Sequence, residues 1–87
     1  MSYPRIDLTG ALVAVTGAAR GIGLATATAF AEAGAYVALG DLDEALAVQA
    51  AAGIGERALG HALDVTDKSS YATFLDAATR WRGAPLD

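Results

Sequence analysis

Short apolar runs and helical stripes alternate three times along the 87 residues. Ala11-Leu-Val-Ala-Val-Thr16 is an apolar run with valines at 13 and 15, entered from Thr9-Gly10 and left at Gly17, the pattern of a buried strand. From Gly21 to about Ala33 the alternation disappears. Ile22, Ala25, Ala29 and Ala33 fall at helical spacing and Gly34 supplies a stop, which predicts a helix laying a small-residue face close against a sheet. Ala35-Tyr-Val-Ala-Leu-Gly repeats the strand pattern and ends at Asp41. Helix formers then fill Asp43 to Ala52, with Asp43 and Glu44 favouring the positive end of the helix dipole and Gly53 halting it. A third strand is predicted over Ala58 to Leu63. A third helix follows from about Lys68 to Arg82, with Tyr71, Phe74, Leu75 and Ala78 forming an apolar stripe and Thr66 or Asp67 placed to cap it. Gly83-Ala-Pro-Leu-Asp87 ends this helix and reads as a linker.

Strand, helix, strand, helix, strand, helix, with every connection long enough for a right-handed parallel crossover, specifies an α/β fold. It is the first βαβαβα portion of a Rossmann-type doubly wound sheet. Twenty-two alanines and ten glycines make the apolar content one of small side chains, so composition alone leaves open a small stable domain or part of a larger one. The absence of cysteine excludes disulfides, thiolate nucleophiles and thiolate metal sites, and a single histidine excludes a multi-imidazole zinc site. Six basic against ten acidic residues offer no field for nucleic acid. No run approaches a membrane span and no signal-peptide pattern opens the chain, so a cytoplasmic protein without nucleic-acid or membrane partners is expected.

The informative segment is Thr16-Gly17-Ala18-Ala19-Arg20-Gly21-Ile22-Gly23, where a strand hands over to a helix. Gly17 permits the tight turn, Gly21 lets backbone approach a pyrophosphate, and Gly23 lets the helix pack against the first strand, while the helix terminus offers free amides to phosphate. Asp41, eighteen residues beyond Gly23 at the end of the second strand, is placed to accept hydrogen bonds from both hydroxyls of an adenosine ribose. Asp41-Leu-Asp-Glu44 also has capping-box spacing, so Asp41 as an N-cap stays open, as does Asp43. Asp64 either meets a ligand after the third strand or ties down its loop and caps the next helix. His61, inside a strand, is expected to be structural, and Tyr71, Phe74 and Trp81 to pack.

The T-G-x-x-x-G-x-G spacing in this context resembles the cofactor loop of the short-chain dehydrogenase/reductase family. The resemblance implies a site that holds NAD or NADP, with Gly17, Gly21 and Gly23 inheriting the glycine roles and Ile22 lying beside the cofactor. Asp64-Val65 resembles the family's Asp-Val or Asp-Leu pair at the adenine. Asp41, followed by Leu42 where NADP-preferring relatives usually place a basic residue, leans toward NAD. Arg20, before Gly21, occupies a position where NADP-binding relatives often carry a cation.

The resemblance covers essentially all 87 residues, which correspond to roughly the first third of a family member: the N-terminal part, residues 1–87, of a single NAD(P)-binding domain cut before its fourth strand. The family's catalytic serine, Tyr-x-x-x-Lys pair and asparagine have no counterpart here. Neither Tyr36 nor Tyr71 has a lysine four residues on. What is implied is the cofactor portion of an NAD-dependent oxidoreductase that moves hydride to or from a small alcohol or carbonyl substrate, in a full-length protein that forms homo-oligomers. A non-catalytic dinucleotide-binding or regulatory module, an NADP-dependent reductase and a purely architectural glycine turn are the alternatives. In the order 3-2-1-4, loss of the fourth strand exposes an edge of the first, so the segment alone is expected to aggregate, unfold or find a partner.

Overall fold

The computed structural model describes residues 8–83. Three strands, β1 (Leu12–Thr16), β2 (Tyr36–Asp41) and β3 (Ala58–Ala62), alternate with three helices, α1 (Gly21–Glu32), α2 (Glu44–Ile54) and α3 (Lys68–Arg82). The strands form one parallel sheet in the order β1-β2-β3. Leu12 lies opposite Tyr36 and Thr16 opposite Gly40, while Val37 pairs with Ala58 and Asp41 with Ala62. This register aligns the C-terminal ends of all three strands. The linker beyond Gly83 lies outside the described residues.

The sheet is covered on both faces, which is why β2 reads as a continuous apolar run: Val37, Ala38, Leu39 and Gly40 are all buried. Val37 and Leu39 face α1 and α2 in a core with Ala27, Ala31 and Ala51. Leu12 and Ala38 face α3, against Phe74, Ala78 and Leu63. Two glycines set the depth of these contacts. A Cβ on Gly40 would lie 2.7 Å from Leu63 Cδ2 and 3.0 Å from Phe74 Cζ, and a Cβ on Gly60 would collide with the backbone of Ala47 and Val48 in α2. Glycine at these two positions is therefore a packing requirement. Phe74, Leu12, Leu39 and Val37 supply the large buried side chains.

Two expectations are corrected. The face of α1 formed by Ile22, Ala25 and Ala29 is exposed, with Ile22 86% accessible, and the buried residues are Ala27 and Ala31 with Leu24 and Phe30 beside them. In a helix made almost wholly of small apolar residues several stripes satisfy helical spacing. The glycine contact at its start, described below, selects which one faces the sheet. Helix α2 also runs through Gly53 to Ile54 and stops at Gly55, with φ 127°. Nothing lies near Gly53 to penalise or favour a stop there.

On α3 the expected stripe holds, with Phe74 and Ala78 buried and Tyr71 at its exposed margin. Trp81 meets Tyr36 edge-on at 5.8 Å, and the Arg82 guanidinium stacks over the Tyr36 ring at 4.4 Å while donating to the Gly10 carbonyl at 2.9 Å. His61 has its Nδ1 2.8 Å from the Ala62 carbonyl and its ring against Phe74, the structural role its position in a strand implies. Strand β1 pairs only with β2 among the described residues, so its other edge is open.

Gly60→Ala should cost about 2–3 kcal/mol, because the opposing atoms are helix backbone and cannot give way. Gly53→Ala, in an exposed helical position, should instead stabilise by about 0.5–1 kcal/mol. Urea unfolding of both variants checks this, and equal effects of the two substitutions would contradict the packing.

Candidate functional site

The site forms where the register brings the strand ends together, outside the carboxyl edge of a parallel sheet. Gly17, just beyond β1, and Gly21, opening α1, adopt φ of 61° and 62°, which a side chain would oppose. No atom lies within 4 Å of where a Cβ would project at either residue, so the loop backbone faces open space. Gly23 works differently from the expectation. Its missing side chain admits the Gly17 carbonyl and Ala18 Cα, so the helix seats on the turn after β1 rather than on the strand itself. Arg20 precedes α1 in extended conformation, and no side chain caps that helix. Asp43 caps α2 through Leu46 N and Asp67 caps α3 through Ser69 N and Ser70 N. The amides opening α1 thus lack a side-chain cap, and its first turn carries no acidic residue to offset the positive end of its dipole.

Asp41 joins three loops. Its Oδ2 accepts from Ala19 N at 3.2 Å, its Oδ1 from Asp43 N at 3.1 Å, and its own carbonyl from Leu63 N at 2.9 Å. The neighbouring Gly40 carbonyl accepts from Ala18 N at 3.2 Å. Asp43 rather than Asp41 is the N-cap, which settles that alternative. A carboxylate has about four lone-pair positions, so the two amide bonds leave Asp41 with roughly two acceptor positions.

Asp64 sits across the cleft. Its Oδ1 accepts from Thr66 Oγ1 at 2.6 Å and Thr66 N at 3.0 Å, and its own amide donates to Ser70 Oγ at 2.9 Å. The side-chain bond and then the backbone bond from Thr66 hold its carboxyl below the ordinary carboxylate range. The loop-tying role considered for Asp64 is therefore present. The helix cap falls to Asp67.

Thr16, Gly17, Asp41, Leu42, Leu63, Asp64, Val65 and Thr66 line one cleft of about 330 Å³. Leu42 and Val65 are 77% and 60% exposed, apolar side chains held at its rim. Five of the nine residues singled out in the sequence (Gly17, Asp41, Leu42, Asp64 and Val65) thus meet in this cleft. Arg20, Gly21, Ile22 and Gly23 stand beside it at the start of α1. Sequence reasoning missed Ala19 and Asp43 as partners of Asp41, and Thr66 as the partner of Asp64. The Asp-x-Thr spacing signals the last of these, but nothing local signals a bond from Asp41 back to Ala19. A second cleft of about 480 Å³ between α1 and α2, at Leu24, Thr28, Ala31, Ala50, Ile54 and Arg57, contains none of the motif residues. Among the described residues no group of three or more His, Asp or Glu is placed to hold a metal, and no helix is long and apolar enough to cross a membrane.

Known proteins place this geometry in context. A family model for short chain dehydrogenases matches residues 11–87. Probable oxidoreductase EphD of Mycobacterium tuberculosis is 40% identical over 85 residues, which are 94% of this chain and 14% of the relative. Galactitol 2-dehydrogenase of Agrobacterium fabrum is 52% identical over 70 residues, 80% of this chain and 27% of that enzyme. Among solved structures, the 3-ketoacyl-(acyl-carrier-protein) reductase of Brucella melitensis complexed with NADH superposes with a TM-score of 0.86 at 34% identity, over 91% of this chain and 32% of its own. A hydroxysteroid dehydrogenase of Escherichia coli gives 0.87 at 30% identity, over 93% and 34%. The chain spans about a third or less of each of these proteins.

Thr66→Val should raise the titration midpoint of Asp64 toward the ordinary carboxylate value, read by carboxyl-carbon NMR. Because the folded-state value is depressed, the bond's contribution to stability is present above the ordinary carboxylate range and disappears as pH falls through the depressed one. An unchanged midpoint would remove the hydroxyl as its cause.

Proposed function

The chain belongs to the short-chain dehydrogenase family, and from that premise we propose that it binds NAD in the cleft at the strand ends, as the cofactor-binding portion of an oxidoreductase. The observation that carries this is the pairing of two complementary features at one edge of the sheet: an uncapped helix N-terminus behind an open glycine loop, beside the cleft, and a strand-end carboxylate within it that has acceptor positions to spare. A dinucleotide presents the matching chemistry, anionic phosphates at one point and a hydroxyl-bearing ribose at another. The NADH complex of the Brucella melitensis reductase supports the same cofactor class.

The proposed roles follow from position. Amides of the Gly17–Gly23 loop take the pyrophosphate, with Ile22 beside the cofactor, and Asp41 takes the ribose hydroxyls. Leu42 and Val65, apolar and exposed at the rim, cover the two faces of an adenine, and Asp64 borders that ring. NAD is favoured over NADP because a 2′-phosphate would meet the Asp41 carboxylate, and position 42 supplies leucine rather than a cation. Bound there, the nicotinamide cofactor supplies the carbon that gives or takes a hydride. This chain's residues bind and orient; none of the described ones is placed as an acid or base toward an alcohol or carbonyl. Residues 1–87 are accordingly proposed as the N-terminal part of one NAD(P)-binding domain; the small share of each relative that the chain spans supports its being a part. The acid/base residues and the pocket for a small alcohol or carbonyl belong to the remainder of that domain.

Calorimetric titration with NAD+ and NADP+ tests the binding. Asp41→Ala should weaken NAD+ binding about ten- to a hundredfold, the scale of losing hydrogen bonds to a charged group, with folding checked by circular dichroism. Unchanged affinity in the folded variant would leave the glycine turn architectural. A reading frame that continues past residue 87 without Tyr-x-x-x-Lys would make this a non-catalytic dinucleotide-binding module.

A further inference from the structure

Arg20 and Asp43 stand on opposite sides of Asp41. Each adjoins one of its hydrogen bonds: Ala19 N, the amide just before Arg20, reaches Oδ2, and the amide of Asp43 itself reaches Oδ1. Across the same gap, Arg20 Nη2 lies 4.0 Å from Asp43 Oδ2, with both side chains largely exposed. The other described arginines are engaged elsewhere. Arg57 bonds the Ala31 carbonyl near the far end of α1, Arg80 pairs with Asp76, and Arg82 lies on Tyr36. Asp43 also caps α2 through its other oxygen, Oδ1, which accepts from Leu46 N at 3.1 Å.

We propose that Asp43 is a specificity-determining residue: by holding Arg20 in an ion pair it withholds from a 2′-phosphate the cation standing beside Asp41, and so sharpens discrimination against NADP. The proposal rests on the cleft being a dinucleotide site. A phosphomonoester brings a charge of about −1.5 to −2 at neutral pH. At Asp41 it would meet one carboxylate directly and a second at Asp43, while the nearby Arg20 guanidinium, the one such group there among the described residues, is occupied by that second carboxylate. With Asp43 neutral, Arg20 is released to reach the phosphate. The cap fixes the backbone that positions the pair, so the α2 N-terminus and the charge balance of the cleft depend on one side chain.

Asp43→Asn tests this cleanly, because asparagine caps a helix about as well as aspartate and only the charge is removed. The ratio of NADP+ to NAD+ dissociation constants is measured calorimetrically on the full chain for the unaltered protein, Asp43→Asn, Arg20→Gln and the double variant. Asp43→Asn should lower the ratio about three- to fivefold at low salt, in keeping with one exposed pair. The same change made in the Arg20→Gln background should lower it by less than half as much, and the difference between backgrounds should fade at 0.5 M NaCl. An equal change in both backgrounds, or none in either, overturns the proposal and leaves NAD+ binding at the cleft standing. If the unaltered chain binds neither nucleotide, the dinucleotide site falls and this proposal with it.

Discussion

The Asp41 carboxylate accepts amide hydrogen bonds from two loops on either side of it, and its backbone carbonyl holds the end of a third. Replacing this side chain would release the glycine turn after β1 and the approach to α2 from their common anchor, while the backbone bond to the end of β3 would stay. The parallel register makes the arrangement possible, because it brings the three strand ends to one edge where each chain segment turns away into a helix. A carboxylate suits that point better than a neutral acceptor. Its several lone pairs can hold two amides and still face outward.

Close approach of helices to the sheet is the second requirement, and it comes from small residues rather than large ones. Gly60 allows β3 to touch the backbone of α2, Gly40 makes room for Phe74 and Leu63, and Gly23 seats α1 on the carbonyl of Gly17. This last contact fixes where α1 begins, and therefore where its free amides lie relative to Asp41. Packing and chemistry share a cause here: the glycine that locates the helix also locates the positive end of its dipole. Capping completes the contrast, since α2 and α3 have their N-termini closed by aspartates while α1 does not.

The fold was legible wherever the signal depended on contrast. The strands β1 and β2 were readable because valine, leucine and tyrosine stand out between glycine turns, β3 (Ala-Leu-Gly-His-Ala) carried far less contrast, and α3 was readable because Phe74, Leu75 and Ala78 recur at helical spacing against polar neighbours. The buried face of α1 was not readable, because a helix of alanine, glycine, threonine and a few larger apolar residues offers several equivalent stripes. Gly53 and Gly55 posed the same difficulty at the end of α2: either can stop a helix, and only the backbone path toward β3 chooses. At the site, the motif residues were visible as spacing, but Ala19 and Asp43 carried no mark of their role. Their function arises from backbone amides, which every residue but proline possesses.

By itself the sequence determined the order of elements, the parallel sheet, and the motif residues that gather at and beside the strand-end cleft, because these follow from local periodicity and from glycine and aspartate at fixed intervals along one chain. Tertiary structure alone decided which face of α1 is buried, which aspartate caps α2, and how Arg20 is engaged by Asp43. Each of these outcomes depends on atoms brought within a few ångströms by the crossover connections. Spacing along the chain cannot encode a distance that arises only once β1, β2 and β3 lie side by side.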